Sequence, residues 1–305
     1  MRYENVAVIV PCYNEEQTIA SVVEDAKKFL PGAKVYVYDN NSKDATKDVA
    51  ERAGAVVRSE VRQGKGFAIR KSFIDATEDY IIMIDGDDTY DLSFAPTAVK
   101  YAVDNQLDFL NLKRIATGTA AYRRGHVLGN KVLTGAIGLL FGRHIDDMLS
   151  GYKVLSKRFV KSFPASSSGF EIETELLVHA LELGIPLGEL ETSYKERPEG
   201  SVSKLSTYKD GARIGFTIMR LCQMERPILF FSIIAALFAF LSLLFGGSVV
   251  AEYFQTGLVE RFPTAILAGF LGMTAIVLMG VGLTLDLVQR TRSDLKKIAF
   301  LAIGH

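Results

Sequence analysis

Short runs of apolar residues alternate with longer amphipathic stretches through the first third of the chain. Residues 6–10 are continuously apolar, the pattern of a strand covered on both faces. Ile19, Val22, Val23, Ala26 and Leu30 then recur at helical spacing, and Pro31 and Gly32 predict the stop. Residues 35–38, 56–57 and 80–84 repeat the strand pattern, and 66–76 reads as a helix. Strand–helix repetition predicts an α/β fold with a largely parallel sheet flanked by helices. Ligands of such sheets bind beyond the carboxyl ends of the strands.

The pattern changes near the C-terminus. Residues 227–251 and 262–285 carry no charge at all. Each run exceeds the roughly 20 residues needed to cross a hydrocarbon core. The loop at 252–261 is short, which predicts an antiparallel transmembrane hairpin, and its single basic residue is Arg261. Arg213, Arg220 and Arg226 precede the first span, and Arg290, Arg292, Lys296 and Lys297 follow the second. Positive-inside bias places both outer ends in the cytoplasm. The expected organisation is a cytoplasmic domain over 1–204, an amphipathic interfacial region over 205–226, two spans within 227–289 and a cytoplasmic tail over 290–305. The expected location is the inner (plasma) membrane, as a multi-pass protein.

Composition narrows the function. The 305 residues include 35 basic and 35 acidic side chains, a balance that argues against a sequence-independent nucleic-acid binder. Cys12 and Cys222 are the only cysteines, so neither a disulfide framework nor a Cys/His zinc pattern is present. The strand ends are unusually polar. They read Pro11-Cys-Tyr-Asn-Glu15, then Asp39-Asn-Asn-Ser42, then Asp85-Gly-Asp-Asp-Thr-Tyr-Asp91. Four aspartates within seven residues repel one another unless a cation is shared. Hard oxygen ligands on few positions suit Mg²⁺ or Mn²⁺ completed by substrate phosphates. Residues 109–145 have no acidic side chain but six basic ones, Lys113, Arg114, Arg123, Arg124, Lys131 and Arg143, interleaved with apolar residues. That segment reads either as a membrane-surface element or as an amphipathic helix on the sheet.

In order along the chain, Val8-Ile-Val-Pro-Cys-Tyr-Asn-Glu15, Asp39-Asn-Asn-Ser-Lys-Asp44, Gly64-Lys-Gly66 and Asp85-Gly-Asp87 resemble the signatures of family 2 glycosyltransferases of the GT-A fold. Asp147-Met-Leu-Ser-Gly-Tyr-Lys153, Gly169-Phe-Glu-Ile-Glu-Thr-Glu175 and Arg197-Pro-Glu-Gly-Ser-Val-Ser-Lys204 resemble later motifs of the polyprenyl-phosphate sugar transferases. That subfamily includes dolichyl-phosphate mannose synthase and the bactoprenol glucosyltransferases. The resemblance implies inverting transfer of a sugar from a nucleotide-sugar to polyprenyl (undecaprenyl) phosphate. It implies that Pro11, Tyr13, Glu15, Asp39, Lys65, Asp85, Gly86 and Asp87 bind the nucleotide-sugar, with Asp87 and Asp85 holding Mg²⁺ or Mn²⁺. Asp147 matches the position of the catalytic base. A phosphate monoester is mostly dianionic at neutral pH, however, so Asp147 serves as much to orient the acceptor or balance its charge. Arg114, Arg123, Arg124, Lys131, Arg197, Ser203 and Lys204 are the expected lipid-phosphate ligands. Tetramers are expected by resemblance only.

The implied donor is UDP-glucose or UDP-N-acetylglucosamine, with GDP-mannose the alternative. Two other classes share features of the chain. A processive polysaccharide synthase has the same early motifs, but the chain has no tryptophan for its Q-x-x-R-W signature. A catalytically inactive membrane scaffold would not need Asp85, Asp87 and Asp147. Glu171, Glu173 and Glu175 are read either as functional groups of their motif or as packing and capping groups, and His126, His144, His179 and His305 as ordinary histidines.

Overall fold

A computed structural model describes residues 3–116, 145–164, 171–195 and 219–303, with single positions between these stretches. The chain divides into two compact units, Met1–Ile214 with Lys296–His305, and Gly215–Leu295.

The first unit is built on a seven-stranded sheet. Its strands are β1 (Val6–Cys12), β2 (Lys34–Asp39), β3 (Val56–Ser59), β4 (Tyr80–Met83), β5 (Phe109–Ala116), β6 (Lys153–Ser156) and β7 (Leu187–Tyr194). They lie in the order β3-β2-β1-β4-β6-β5-β7. β6 runs antiparallel to both of its neighbours, and every other adjacent pair is parallel. The helices are α1 (Ile19–Phe29), α2 (Thr46–Arg52), α3 (Lys65–Asp75), α4 (Ala95–Asp104), α5 (Lys157–Ser162) and α6 (Ile172–Leu183). The expected mostly parallel α/β architecture is present, with one reversed strand in its midst.

Both faces of the sheet are covered, so its central strands are apolar without alternation. In β1, Val6, Val8, Val10 and Cys12 enter one cluster with Ile19, Val22, Val23 and Ala26 of α1. On the other side, Phe109 of β5 meets Phe159 of α5 edge-on at 5.3 Å, and Phe73 of α3 meets Phe163 at 5.9 Å. The ends of the helices follow local chemistry. The Ser156 hydroxyl accepts from the Phe159 N–H at 3.2 Å and caps α5. Gly184 ends α6 in the left-handed region, φ +68°, which costs a side-chain-free residue nothing. His179 is a core residue, packed on Phe159 and Phe163 with Nε2 3.3 Å from the Ser162 hydroxyl.

The last helical turns of the chain belong to this first unit. Lys296 forms a buried ion pair with Glu182 of α6. The Arg158 guanidinium, bound to buried Asp108, lies 4.8 Å from the Phe300 ring centroid.

The second unit holds α7 (Pro227–Thr256) and the greater part of α8 (Phe262–Ala302). Both are long and apolar enough to cross a membrane. A methyl on Gly246 would touch Ala268, one on Gly272 would touch Ser242, and one on Gly282 would touch Phe231. The Gln289 amide donates to Glu225 at 2.7 Å. In each pair one residue number rises as the other falls, so the two helices run antiparallel, as the hairpin reading expects.

Candidate functional site

The site begins where β1 and β2 end in register, Cys12 opposite Asp39. The loops that follow are stitched together by hydrogen bonds. The Asn14 N–H donates to the Ser42 hydroxyl at 2.9 Å, and the Lys43 N–H donates to Asn14 Oδ1 at 2.8 Å. The Glu15 N–H donates to the Thr46 hydroxyl at 2.8 Å. Asn14, Asn41 and Asp88 have φ of 53°, 61° and 55°, and all three sit beyond the carboxyl ends of strands. Left-handed backbone at residues other than glycine carries strain, and such strain gathers where a loop is shaped for a ligand. Buried Asn40 fixes the next loop. Its Nδ2 donates to the Arg62 carbonyl at 2.6 Å, and its Oδ1 accepts from the Gly64 N–H at 2.6 Å. Asp39, also buried, accepts from the Ser42 N–H at 3.3 Å.

Beyond β4 lie Asp85, Gly86 and Asp87. The Gly86 backbone passes so close to β1 that a Cβ there would lie 2.5 Å from Cys12 Sγ. The Thr18 hydroxyl donates to the Gly86 carbonyl at 2.6 Å. Four carboxylates converge here. Burial, then the fields of Glu15, Asp39, Asp85 and Asp87, push the Cys12 thiol well above its ordinary pKa, which leaves it an inert packing group. The Lys65 ammonium answers them, 2.5 Å from Asp85 Oδ1 and 2.5 Å from Glu173 Oε1. Burial alone would lower the Lys65 pKa, but the Asp85 and Glu173 carboxylates outweigh it and hold the pKa above the ordinary lysine range. Glu173 is buried in the first turn of α6, and among the described residues its second oxygen, Oε2, has no hydrogen-bond partner.

The other half of the site lies over β5, β6 and β7. Asp147 is buried and grips Arg114 of β5 with two side-chain contacts, 2.7 Å to Nε and 2.8 Å to Nη2, and accepts the Arg114 N–H at 3.1 Å. Burial works to raise the Asp147 pKa, but the Arg114 bonds prevail and hold it below the usual carboxylate range. Asp146 pairs with Lys113 at 2.8 Å, and Lys113 also reaches Glu191 at 3.0 Å. Beneath this pair, the Asn111 amide donates to the Asp147 carbonyl at 2.7 Å and to Glu189 Oε1 at 2.8 Å. Glu189 Oε2 accepts the Asp146 N–H at 3.0 Å. Gly151 joins the two halves. Its N–H donates to the Tyr90 hydroxyl at 2.7 Å, and a Cβ at this position would overlap the Asp85 carboxylate.

Pro11, Tyr13, Glu15, Asp39, Lys65, Asp85, Gly86 and Asp87 thus share the end of the β1–β2–β4 sheet, and Asp147 and Arg114 share the β5–β6 end. Arg114 is engaged by Asp147 rather than displayed alone for a phosphate. Arg123, Arg124, Lys131, Arg197, Ser203 and Lys204 lie outside the described residues. Glu173, Asn40, Asn111, Glu189 and Lys153 are site residues that sequence reasoning passed over or left as packing groups. Apart from the Lys153–Ser150 contact, their side-chain hydrogen-bond partners are 20 to 108 positions away, and spacing carries no trace of such contacts.

The donor set suits a hard divalent cation. Asp87 is buried, and its Oδ1 takes the Thr89 hydroxyl at 2.6 Å and the Thr89 N–H at 3.3 Å. Asp85 is half-buried beside it in sequence. Among the described residues no group of three or more His, Cys, Asp or Glu side chains forms a metal cage. Two carboxylates without a cage fit Mg²⁺ or Mn²⁺, which keep water and substrate phosphate oxygens in much of their shell.

Comparison with known proteins gives a consistent picture. Glycosyltransferase AglJ of Haloferax volcanii is 31% identical over 227 residues, covering 74% of this chain and 75% of that protein. A dolichyl-phosphate hexose transferase of the same organism is 27% identical over 225 residues, covering 73% of this chain and 96% of that protein. The fold matches glucosyl-3-phosphoglycerate synthase from Mycobacterium tuberculosis in complex with phosphoglyceric acid, with a TM-score of 0.60 at 23% identity over 71% of this chain and 79% of that one. The same enzyme in complex with Mn²⁺ and UDP-glucose gives a TM-score of 0.57 at 22% identity, over 72% of this chain and 78% of that one. The profile of glycosyl transferase family 2 covers residues 7–163, half of the chain, and the chain belongs to that family.

Proposed function

We propose that this glycosyltransferase moves a hexosyl group from a nucleoside-diphosphate sugar to a polyprenyl phosphate at the cytoplasmic face of a membrane. One observation carries the reading. A carboxylate cluster suited to a metal–diphosphate (Asp39, Asp85, Asp87) shares a sheet end with a separate Asp147–Arg114 pair suited to an anionic acceptor. The apolar helices α7 and α8 support a lipid acceptor, as does the relative named dolichyl-phosphate hexose transferase.

In this reading Asp39 accepts from the base or ribose, and Asp87 with Asp85 would hold a divalent cation, which would supply positive charge to the departing diphosphate. A phosphate oxygen of the acceptor attacks the anomeric carbon. The bond from that carbon to the β-phosphate oxygen breaks, the nucleoside diphosphate leaves with the electron pair, and the configuration inverts. Glu173 Oε2 is placed to accept a hydrogen bond from a sugar hydroxyl. Asp147 stays ionised beside Arg114 and is a poor proton acceptor, which suits a dianionic phosphate that has little to give up. Its role is to set Arg114 for that phosphate. UDP-glucose and UDP-N-acetylglucosamine are the favoured donors, with GDP-mannose the alternative, and the catalytic domain is placed over residues 1–204.

The test is nucleotide release and radiolabel transfer with each donor, with and without polyprenyl phosphate and Mn²⁺. Transfer to lipid is expected with one donor; no label in lipid with any donor sinks the reading. Asp87→Ala is expected to abolish metal-dependent turnover. Full activity in that variant would show that Asp87 holds no metal.

A further inference from the structure

The charges of the site alternate in sign. Asp85 touches Lys65, Lys65 touches Glu173, and at the far end Asp147 touches Arg114. Between Glu173 and Asp147 lies one more cation, Lys153 on β6. It is 1% exposed and, among the described residues, touches no carboxylate. Its Nζ donates to Asn111 Oδ1 at 2.7 Å and to the Ser150 carbonyl at 2.7 Å, with the Phe109 ring centroid 5.5 Å away. Two neutral oxygens are poor recompense for a buried charge, and a methionine of similar length would fill the space at lower cost.

We propose that Lys153 is a positioning residue of the transfer site, which pins the turn carrying Asp147 and supplies the positive charge between Asp147 and Glu173. This rests on the transferase reading above. The pinning is direct at one end of the turn, through the Ser150 carbonyl. At the other it runs through Asn111, whose amide holds the Asp147 carbonyl. The charge acts on four ionisable groups. Glu173 of α6 and Asp147 of the turn favour the ammonium, while Arg114 of β5 and Lys65 of α3 oppose it. Lys153 in turn helps to keep Asp147 ionised.

Lys153→Met and Lys153→Arg in the full chain test this. Lys153→Met is expected to fold, to keep the donor KM within about 3-fold, and to lose at least about 10-fold in kcat. Its acid limb in kcat against pH is expected to move up by about one unit, because Asp147 has lost a neighbouring cation. Lys153→Arg is expected to restore the acid limb. An unchanged acid limb and kcat in Lys153→Met overturns the proposal, as does an equal rise in donor KM. A measurement without substrate separates this from the transferase reading: Lys153→Met is expected to begin acid unfolding at a higher pH than the wild type. Wild type that transfers no sugar overturns the transferase reading, and an unshifted acid unfolding curve overturns the charge-holding role of Lys153.

Discussion

Gly151 shows how much a single missing side chain can decide. Its backbone backs the Asp85 carboxylate so closely that a methyl group would occupy the same space. Gly151→Ala therefore pushes Asp85 off Lys65, and a displacement of about 1 Å at a reacting centre costs on the order of 100-fold in rate. Steady-state turnover with a saturating donor is the check, and wild-type kcat in this variant would mean that Asp85 has room to move. Lys153 gives a second expectation. Burial, more than any neighbour, pushes its pKa down from 10.5 to about 8. Between pH 8 and 10.5 the unfolded chain holds a proton that the folded chain has lost. Stability therefore rises with pH across that window, by about 3 kcal/mol, and is flat with respect to this group below it. Chemical denaturation at pH 7.5 and pH 10 measures the slope, which Lys153→Met should lack. Asp39, Asp85 and Asp87 were legible in the sequence because they stand at the ends of strands, and Lys65 because it sits in the Gly64-Lys-Gly66 motif. Glu173 was not, because a glutamate at the start of a helix looks the same whether it caps, packs or binds.

The elements sort in the same way. β1, β2 and β4 were legible from their apolar runs and turn residues, since strands buried on both faces need no alternation. β6 was harder. It is four residues long, includes a buried lysine and a capping serine, and owes its place to neighbours met only in the fold. Its reversal matters for function, because it brings the turn at 145–150 back to the same sheet end as the loop after β4. The adjoining α5 is short and holds its position through Phe159, which is fully buried against Phe109, Phe163 and His179. Phe159→Ala is expected to destabilise the first unit by about 3–5 kcal/mol, the range for removing a buried aromatic ring. A loss below about 1 kcal/mol in a denaturant titration would show that the surrounding rings close over the gap.

At the scale of the whole molecule, charge and hydropathy along the chain foretold an α/β part followed by an apolar pair of helices. They did not foretell that the chain comes back. The 41 residues of α8 amount to about 60 Å of helix, roughly twice the hydrocarbon thickness of a bilayer. Its last turns belong to the first unit, through Lys296 with Glu182 and Phe300 with Arg158. The first unit is thus made from two separate stretches of chain, held together by the non-covalent clasp of Lys296 and Phe300 on Glu182 and Arg158. A cut in the chain between Glu182 and Lys296 should leave the two stretches together. With a protease site placed at position 210 and a C-terminal affinity tag, the N-terminal fragment of the detergent-solubilised chain is expected to stay with the tag after cleavage. It is expected to wash away when Lys296 and Phe300 are both changed to alanine. Release of the fragment from the unaltered chain would mean that the clasp holds nothing on its own.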